Sequence, residues 1–238
     1  MILDIGNSRT KLAVFQDHKI VDLQFFNQDQ NKELKIYLEK YAFQKAIVSA
    51  SGHVMEDLMG SIKAKSEILR FGHETPVPIS ILYETPETLG LDRVAGAVGA
   101  WSLFPNETSL IIDMGTCITT NIINNRGEYL GGTISPGVAM RAKAMHLFTA
   151  SLPLVEPELP LSAIGRNTIE SMQNGVVRGT YYEIQTFIDN IKPVFGVNNV
   201  ILTGGDAKIF ANLLNFEIFA LPNLVVTGLH EILVYNDL

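Results

Sequence analysis

Two segments of this sequence place an acidic residue, a glycine and hydroxyl or amide side chains at the same spacing: Asp4-Ile5-Gly6-Asn7-Ser8-Arg9-Thr10-Lys11 and Asp113-Met114-Gly115-Thr116-Cys117-Ile118-Thr119-Thr120. In each, an apolar stretch ends in Asp-x-Gly and a second apolar stretch follows. A tight turn between two strands presents backbone N–H groups to a phosphate, and the carboxylate can address the cation that travels with it. Either turn alone is also ordinary hairpin chemistry, because Gly and Asn tolerate positive φ. Lys11, at the start of the outgoing strand and within reach of a phosphate tail, favours the ligand reading for the first copy. The Gly-x-x-x-x-Gly-Lys-Ser/Thr loop of the Walker type is absent. Asp113 closes the apolar run Leu110-Ile111-Ile112, where an ionised carboxylate is costly unless it is paired or holds a cation.

Two further clusters carry chemistry. Gly204-Gly205 follows the apolar run Val200 to Thr203 and precedes a helical pattern, so the backbone there could approach an adenine or its ribose closely, or simply form a loop. Gly90-Leu91-Asp92-Arg93 sets a carboxylate beside a guanidinium at a helix start. In the plain reading Asp92 complements the helix dipole and Arg93 is a solvated charge. In the functional one Asp92 accepts a proton from an attacking hydroxyl while Arg93 holds an anionic group, a carboxylate above all. Cys117 has no suitably placed histidine to activate it and reads as a small core thiol.

The elements that must position these residues repeat. In the first half, strands are expected at Ile2-Leu3, Thr10 to Phe15, Ile20 to Phe25, Lys45 to Ala50 and Glu67 to Phe71, with helices over Asp29 to Tyr41, Val54 to Lys65 and Leu91 to Phe104. Ala95, Gly96, Ala97, Gly99 and Ala100 in the last of these permit close packing. The second half runs through strands Ser109 to Asp113, Cys117 to Ile123 and Tyr129 to Ile134, with a hairpin turn at Asn124-Asn125-Arg126-Gly127. Helices Val138 to Thr149 and Thr168 to Ile191 follow, then strand Val200 to Thr203, helix Ala207 to Leu214, strand Glu217 to Ala220 and helix Leu224 to Val234. Each half is three antiparallel strands and then alternating helix and strand. The expected architecture is α/β, two domains over 1–106 and 107–238 with a nucleotide cleft between them. Only three residues precede Asp4, so the first strand is expected to be short and its edge of the sheet loose.

Composition narrows the classes. The chain has 238 residues, enough for a substantial core, with 47% hydrophobic and 18% charged residues and no low-complexity tract. The net charge of −7 is spread along the chain and the 18 Lys and Arg form no basic stripe, which argues against nucleic acid as a partner. A single cysteine excludes an internal disulfide and a Cys-rich zinc site. With no basic, apolar leader at the start and no segment apolar enough to span a membrane, the cytoplasm is the expected location.

Taken together, the motifs resemble the type III pantothenate kinases, of the acetate and sugar kinase, heat-shock chaperone and actin superfamily. The resemblance covers essentially the whole length through Asp4-x-Gly6-Asn7-Ser8-x-x-Lys11, Tyr83, Gly90-x-Asp92-Arg93, Asp113-x-Gly115-Thr116, Gly131-Gly132-x-Ile134-x-Pro136-Gly137, Thr168 and Thr203-Gly204-Gly205. It implies duplicated ribonuclease H-like, that is actin-like, domains, each a mixed sheet flanked by helices. It implies that Asp4, Gly6, Asn7, Ser8 and Lys11 hold the ATP phosphates, with Asp4 on magnesium directly or through water. Thr116 adds a hydroxyl, Gly204 and Gly205 approach the nucleotide, and Asp113 binds a monovalent cation, K+ or NH4+. Asp92 becomes the proton acceptor, while Tyr83, Gly90, Leu91 and Arg93 bind pantothenate and Thr168 completes that pocket from the partner subunit of a homodimer. The implied reaction is ATP-dependent phosphorylation of pantothenate to 4′-phosphopantothenate, the first step toward coenzyme A. Two other readings stand beside it: another small-acceptor kinase of the superfamily, and a non-catalytic nucleotide-binding regulator. Cys117 departs from the alanine common in relatives.

Overall fold

The structure, a computed structural model, describes residues 1–6, 9–27, 29–50, 58–62, 68–160 and 162–236. Asn7 and Ser8, and all but 58–62 of the helix expected at Val54 to Lys65, lie outside the described residues. The chain folds into two compact units. The first comprises Met1–Pro105, Gly127–Tyr129 and Asn223–Leu238, the second Asn106–Arg126 and Leu130–Pro222.

In the first unit, strands β1 (Ile2–Ile5), β2 (Arg9–Gln16) and β3 (Lys19–Asn27) form an antiparallel meander, with Asp4 opposite Lys11 and Leu12 opposite Gln24. Their alternation sends Leu3 and Leu12 inward against Leu34 and Leu38, one turn apart on helix α1 (Asn31–Lys40). Strands β4 (Ala46–Ala50) and β5 (Ile68–Arg70) add in parallel, giving the order β3-β2-β1-β4-β5. The first strand is therefore not a loose edge. It is the middle of the sheet, paired on both sides, and the Met1 ammonium donates to the Lys45 carbonyl at 2.7 Å. A two-residue strand β6 (Ser80–Ile81) pairs in parallel with Glu128 and Tyr129.

In the second unit, β7 (Ser109–Met114), β8 (Cys117–Ile123), β9 (Glu128–Pro136), β10 (Asn199–Thr203) and β11 (Phe219–Ala220) run in the order β9-β8-β7-β10-β11. Position for position this is the order of the first sheet, with β7 antiparallel to β8 and parallel to β10. The duplication suggested by two short turns thus extends to five strands of each sheet, the second sheet carrying β6 as a sixth strand next to β9. Between them in sequence lies helix α2 (Leu91–Leu103). After β9 come α3 (Val138–Phe148) and α4 (Thr168–Gln173). The helix expected to be uniform from Thr168 to Ile191 instead widens into a π-helical turn at Asn174–Arg178 and continues as α5 (Gly179–Phe195). Gly196, at φ 61°, then stops it with a left-handed cap. The helix expected over Ala207 to Leu214 keeps only Ala207–Phe210, as α6, and the strand expected from Glu217 begins at Phe219.

The final helix, α7 (Leu224–Tyr235), buries Leu224, Val225, Val226, Leu229, Ile232 and Leu233. It packs on α2 and groups with the first unit, not with the half of the sequence that contains it. Glycines make this contact backbone to backbone: a Cβ on Gly228 would fall 1.7 Å from the Ala95 carbonyl oxygen, and one on Gly99 2.5 Å from that of Leu224. The small residues of α2 serve the close packing their pattern suggested.

Candidate active site

Asp92 stands in the first turn of α2, exposed to solvent, and its Oδ1 accepts the Arg93 backbone N–H at 2.9 Å. Gly90 caps the helix, and a Cβ there would lie 2.6 Å from Asp92 Oδ1, so the missing side chain is what lets the carboxylate fold back onto the helix start. Leu91, its neighbour in sequence, and Tyr83, nine residues earlier, are half-buried. Arg93 is not the solvated charge of the plain reading: it is only 6% exposed. Its guanidinium carbon lies 5.8 Å from the Tyr83 ring centroid and 5.9 Å from that of Tyr129, within cation–π range, and the two rings meet edge to face at 6.2 Å. Burial raises the Tyr129 phenol to about 12, with the Arg93 charge opposing and Tyr83 and Asp92 reinforcing the shift. Tyr129 escaped the sequence reading, because it looked like one more alternating residue of a β-strand.

The first Asp-x-Gly turn puts Asp4 and Lys11 directly opposite each other on β1 and β2, both half-buried, with Ser49 of β4 beside Asp4 on the other side. Directly opposed residues of an antiparallel pair share a face, so a carboxylate and an ammonium are presented together. The Gly6 N–H donates to the Arg9 carbonyl at 3.0 Å, closing the turn.

The second turn is one residue tighter. The Gly115 N–H donates to the Cys117 carbonyl, also at 3.0 Å, and the residue opposite Asp113 is Thr119, with Thr203 on its other flank. Where the first copy has a lysine, the second has a hydroxyl. The surrounding backbone is pressed close: a Cβ on Gly204, at φ 91°, would lie 2.5 Å from Asp113 Oδ1, and one on Gly137 would lie 2.3 Å from the Gly115 carbonyl oxygen. The Gly137 N–H reaches the Thr116 carbonyl at 3.1 Å, and the Asp206 N–H the Met114 carbonyl at 3.0 Å. The register therefore puts a carboxylate between two hydroxyl-bearing residues on one face of the sheet, oxygen donors of the kind that suit a magnesium, calcium or alkali cation. Thr116 is exposed at the turn, and around Gly205 no atom would lie within 4 Å of an added Cβ. Cys117 is half-buried rather than in the core.

Thr168, exposed at the first position of α4, lies on a depression of about 490 Å³ that Met145, Leu152, Arg166 and Gly175 also line. Asn167 caps the helix, its Oδ1 accepting from the Glu170 N–H at 2.9 Å. Asp92, Arg93, Tyr83 and Gly90 are brought together in the first unit, Asp113, Thr116 and Gly204 in the second.

Two solved structures share this architecture over nearly the whole chain. One is a candidate Baf family transcriptional activator from Campylobacter jejuni, with a TM-score of 0.66 at 23% identity, covering 99% of this chain and 98% of that one. The other is a candidate N-acetylmannosamine kinase from Listeria monocytogenes, with a TM-score of 0.55 at 13% identity, covering 100% and 99%. The protein has the duplicated ribonuclease H-like α/β fold of the actin-like kinases. Residues 1–190 match the model of the type III pantothenate kinase family. The type III pantothenate kinases of Bacteroides fragilis and Porphyromonas gingivalis are each 40% identical to it, over 100% and 99% of this chain and 98% of theirs, and that of Flavobacterium johnsoniae 38%, over 99% and 98%. The chain belongs to the type III pantothenate kinase family.

Proposed function

We propose that the chain transfers the γ-phosphoryl group of ATP to the primary hydroxyl of pantothenate, giving 4′-phosphopantothenate for coenzyme A synthesis. Family membership over the full length supports the reaction. The observation that carries the assignment of its chemistry is Asp92, an exposed carboxylate whose Oδ1 is held by the start of α2. Phosphoryl transfer proceeds through a loose transition state and asks chiefly for alignment and charge neutralisation. Asp92 orients the attacking hydroxyl and takes its proton as the new P–O bond forms. Arg93 and Tyr83, with Gly90 and Leu91, orient pantothenate through its carboxylate.

Asp4, Gly6, Asn7, Ser8 and Lys11 hold the ATP phosphates, Thr116 adds a hydroxyl, and Gly204-Gly205 leave room for the nucleoside. The donor sets suit the cations: Asp4 would hold Mg2+, directly or through water, and Asp113 with its threonine neighbours K+ or NH4+. Bound there, these cations neutralise phosphate charge. We place the reaction in the cytoplasm, on a homodimer in which Thr168 completes the pantothenate pocket of the partner subunit. Leu147, Phe148, Leu154 and Ile164, large apolar residues that the second unit leaves exposed, support an interface on that unit. Among the described residues no helix is long and apolar enough to cross a membrane.

A coupled assay for pantothenate-dependent ADP release, comparing potassium, ammonium and sodium, tests this. Release that requires pantothenate and is strongest with potassium or ammonium is expected. Phosphorylation of a hexose but not pantothenate, or ATP binding without pantothenate-dependent turnover, would overturn it.

A further inference from the structure

A second cluster of chemically capable side chains lies in the first unit on residues the kinase reading does not use. His18 sits in the two-residue turn between β2 and β3, and His230 and Glu231 lie side by side on α7. His230 Nε2 is 3.2 Å from His18 Nδ1, and His18 Nδ1 is 3.9 Å from Glu231 Oε1; the three ligand atoms all fall within 4.8 Å of one another. Zinc bonds to nitrogen of about 2.0–2.1 Å at tetrahedral angles put neighbouring donors roughly 3.3 Å apart. The histidine pair already has that spacing. Glu231, a long flexible side chain, must close about 0.6 Å on His18 Nδ1 and at most about 1.5 Å on His230 Nε2 to reach that spacing, which a rotation of its side chain supplies.

Three independent features hold the cluster in place. The His230 ring stacks on Phe15 at 4.0 Å between centroids and 8° between planes, which fixes the imidazole. The β2–β3 register shifts at Val14/Phe15, an irregularity of the kind that re-aims side chains. The turn itself puts Asp17 and His18 at φ 49° and 62°, a conformation that ordinarily selects Asn-Gly. A histidine kept where glycine is favoured presents its ring to α7. Burial, the neighbouring His18 and the Met1 ammonium lower His230 to about 4.

We propose that His18, His230 and Glu231 form a zinc-class divalent metal site that clasps the β2–β3 turn to the final helix. Two imidazoles and one carboxylate favour zinc over magnesium, and the exposure of His18 leaves a fourth position for water. The proposal does not depend on the substrate of the kinase.

The test uses the untagged full chain, stripped of metal and titrated with Zn2+, with Co2+ as a spectroscopic probe and Mg2+ as control. His18→Asn, which suits the left-handed turn, and Glu231→Gln remove ligands without emptying the core. The wild type should retain one zinc per chain with a Kd below about 10 µM, show a visible Co2+ absorption band, and gain about 5 °C in Tm at a hundredfold excess over Kd. Each variant should lose at least about tenfold in affinity and most of the Tm shift. Absence of stoichiometric zinc in the wild type, or equal binding and equal Tm shifts in the variants, would overturn the proposal.

Discussion

Replacing Gly90 with alanine should separate the placement of Asp92 from the stability of its helix. The added methyl falls 2.6 Å from Asp92 Oδ1, whereas ordinary contact begins at 3.4 Å, so the carboxylate must retreat by about 0.8 Å. The other neighbours of that methyl, Arg93 Cγ and Cδ at 3.6 Å, need not move. A catalytic group misplaced by about 1 Å costs up to roughly 10²-fold, so kcat should fall about 10- to 100-fold. Stability should barely change. The backbone at 90, with φ −53° and ψ 129°, suits alanine. Loss of unfolded-state freedom stabilises by about 0.4–1 kcal/mol, which offsets the roughly 0.5–1.5 kcal/mol lost if the 2.9 Å bond to the Arg93 N–H breaks. A steady-state assay with saturating ATP, beside a thermal melt, reads both. Turnover within about twofold of wild type would refute the reasoning, as would a Tm drop beyond about 8 °C, which would place the damage in the fold.

Asp92→Asn should lower kcat by about 10²-fold or more while ATP still binds, measured by turnover beside nucleotide titration; near-normal turnover would remove Asp92 from its role. Asp113→Asn should abolish the advantage of potassium or ammonium over sodium, and a variant whose activation by these ions is unchanged would count against a cation at that carboxylate. Gly228→Ala drives a methyl to 1.7 Å from the Ala95 carbonyl oxygen, so denaturant melts should show a loss of about 2–4 kcal/mol. Tyr129, with its folded value raised from 10 to about 12, contributes stability that is complete below pH 10 and lost as pH rises through 12. Urea melts across that window should therefore show up to about 2 kcal/mol more alkaline destabilisation in the wild type than in Tyr129→Phe.

The repeated Asp-x-Gly turns, the period-2 strands around them and the small-residue face of α2 were legible because each is a local pattern with one structural outcome. Longer-range matters were not. Nothing in an apolar segment such as Leu224 to Tyr235 says which sheet it will cover, so α7 could be drawn as a helix but not assigned to the first unit. The π-helical turn at Asn174–Arg178 leaves the helical period nearly intact in sequence and passed as ordinary helix. Within the candidate site, Gly90-Leu91-Asp92-Arg93 was conspicuous, whereas Tyr129 is recruited by a strand about forty residues further on. The inequality of the two turns was half visible: Lys11 could be read, but that its counterpart is Thr119 requires the strand register.

The first unit is a discontinuous piece of chain: it opens with Met1 and is closed only by Asn223–Leu238, after every residue of the second unit. During synthesis the second unit can therefore complete its own core while the first still lacks the helix that backs α2. The unit that begins first finishes last. Helix α2, which carries Asp92 at its start, gains the packing of α7 on Ala95 and Gly99 only when α7 has emerged, so a nascent chain acquires its candidate proton acceptor in working order only after the residues of the second unit have been made.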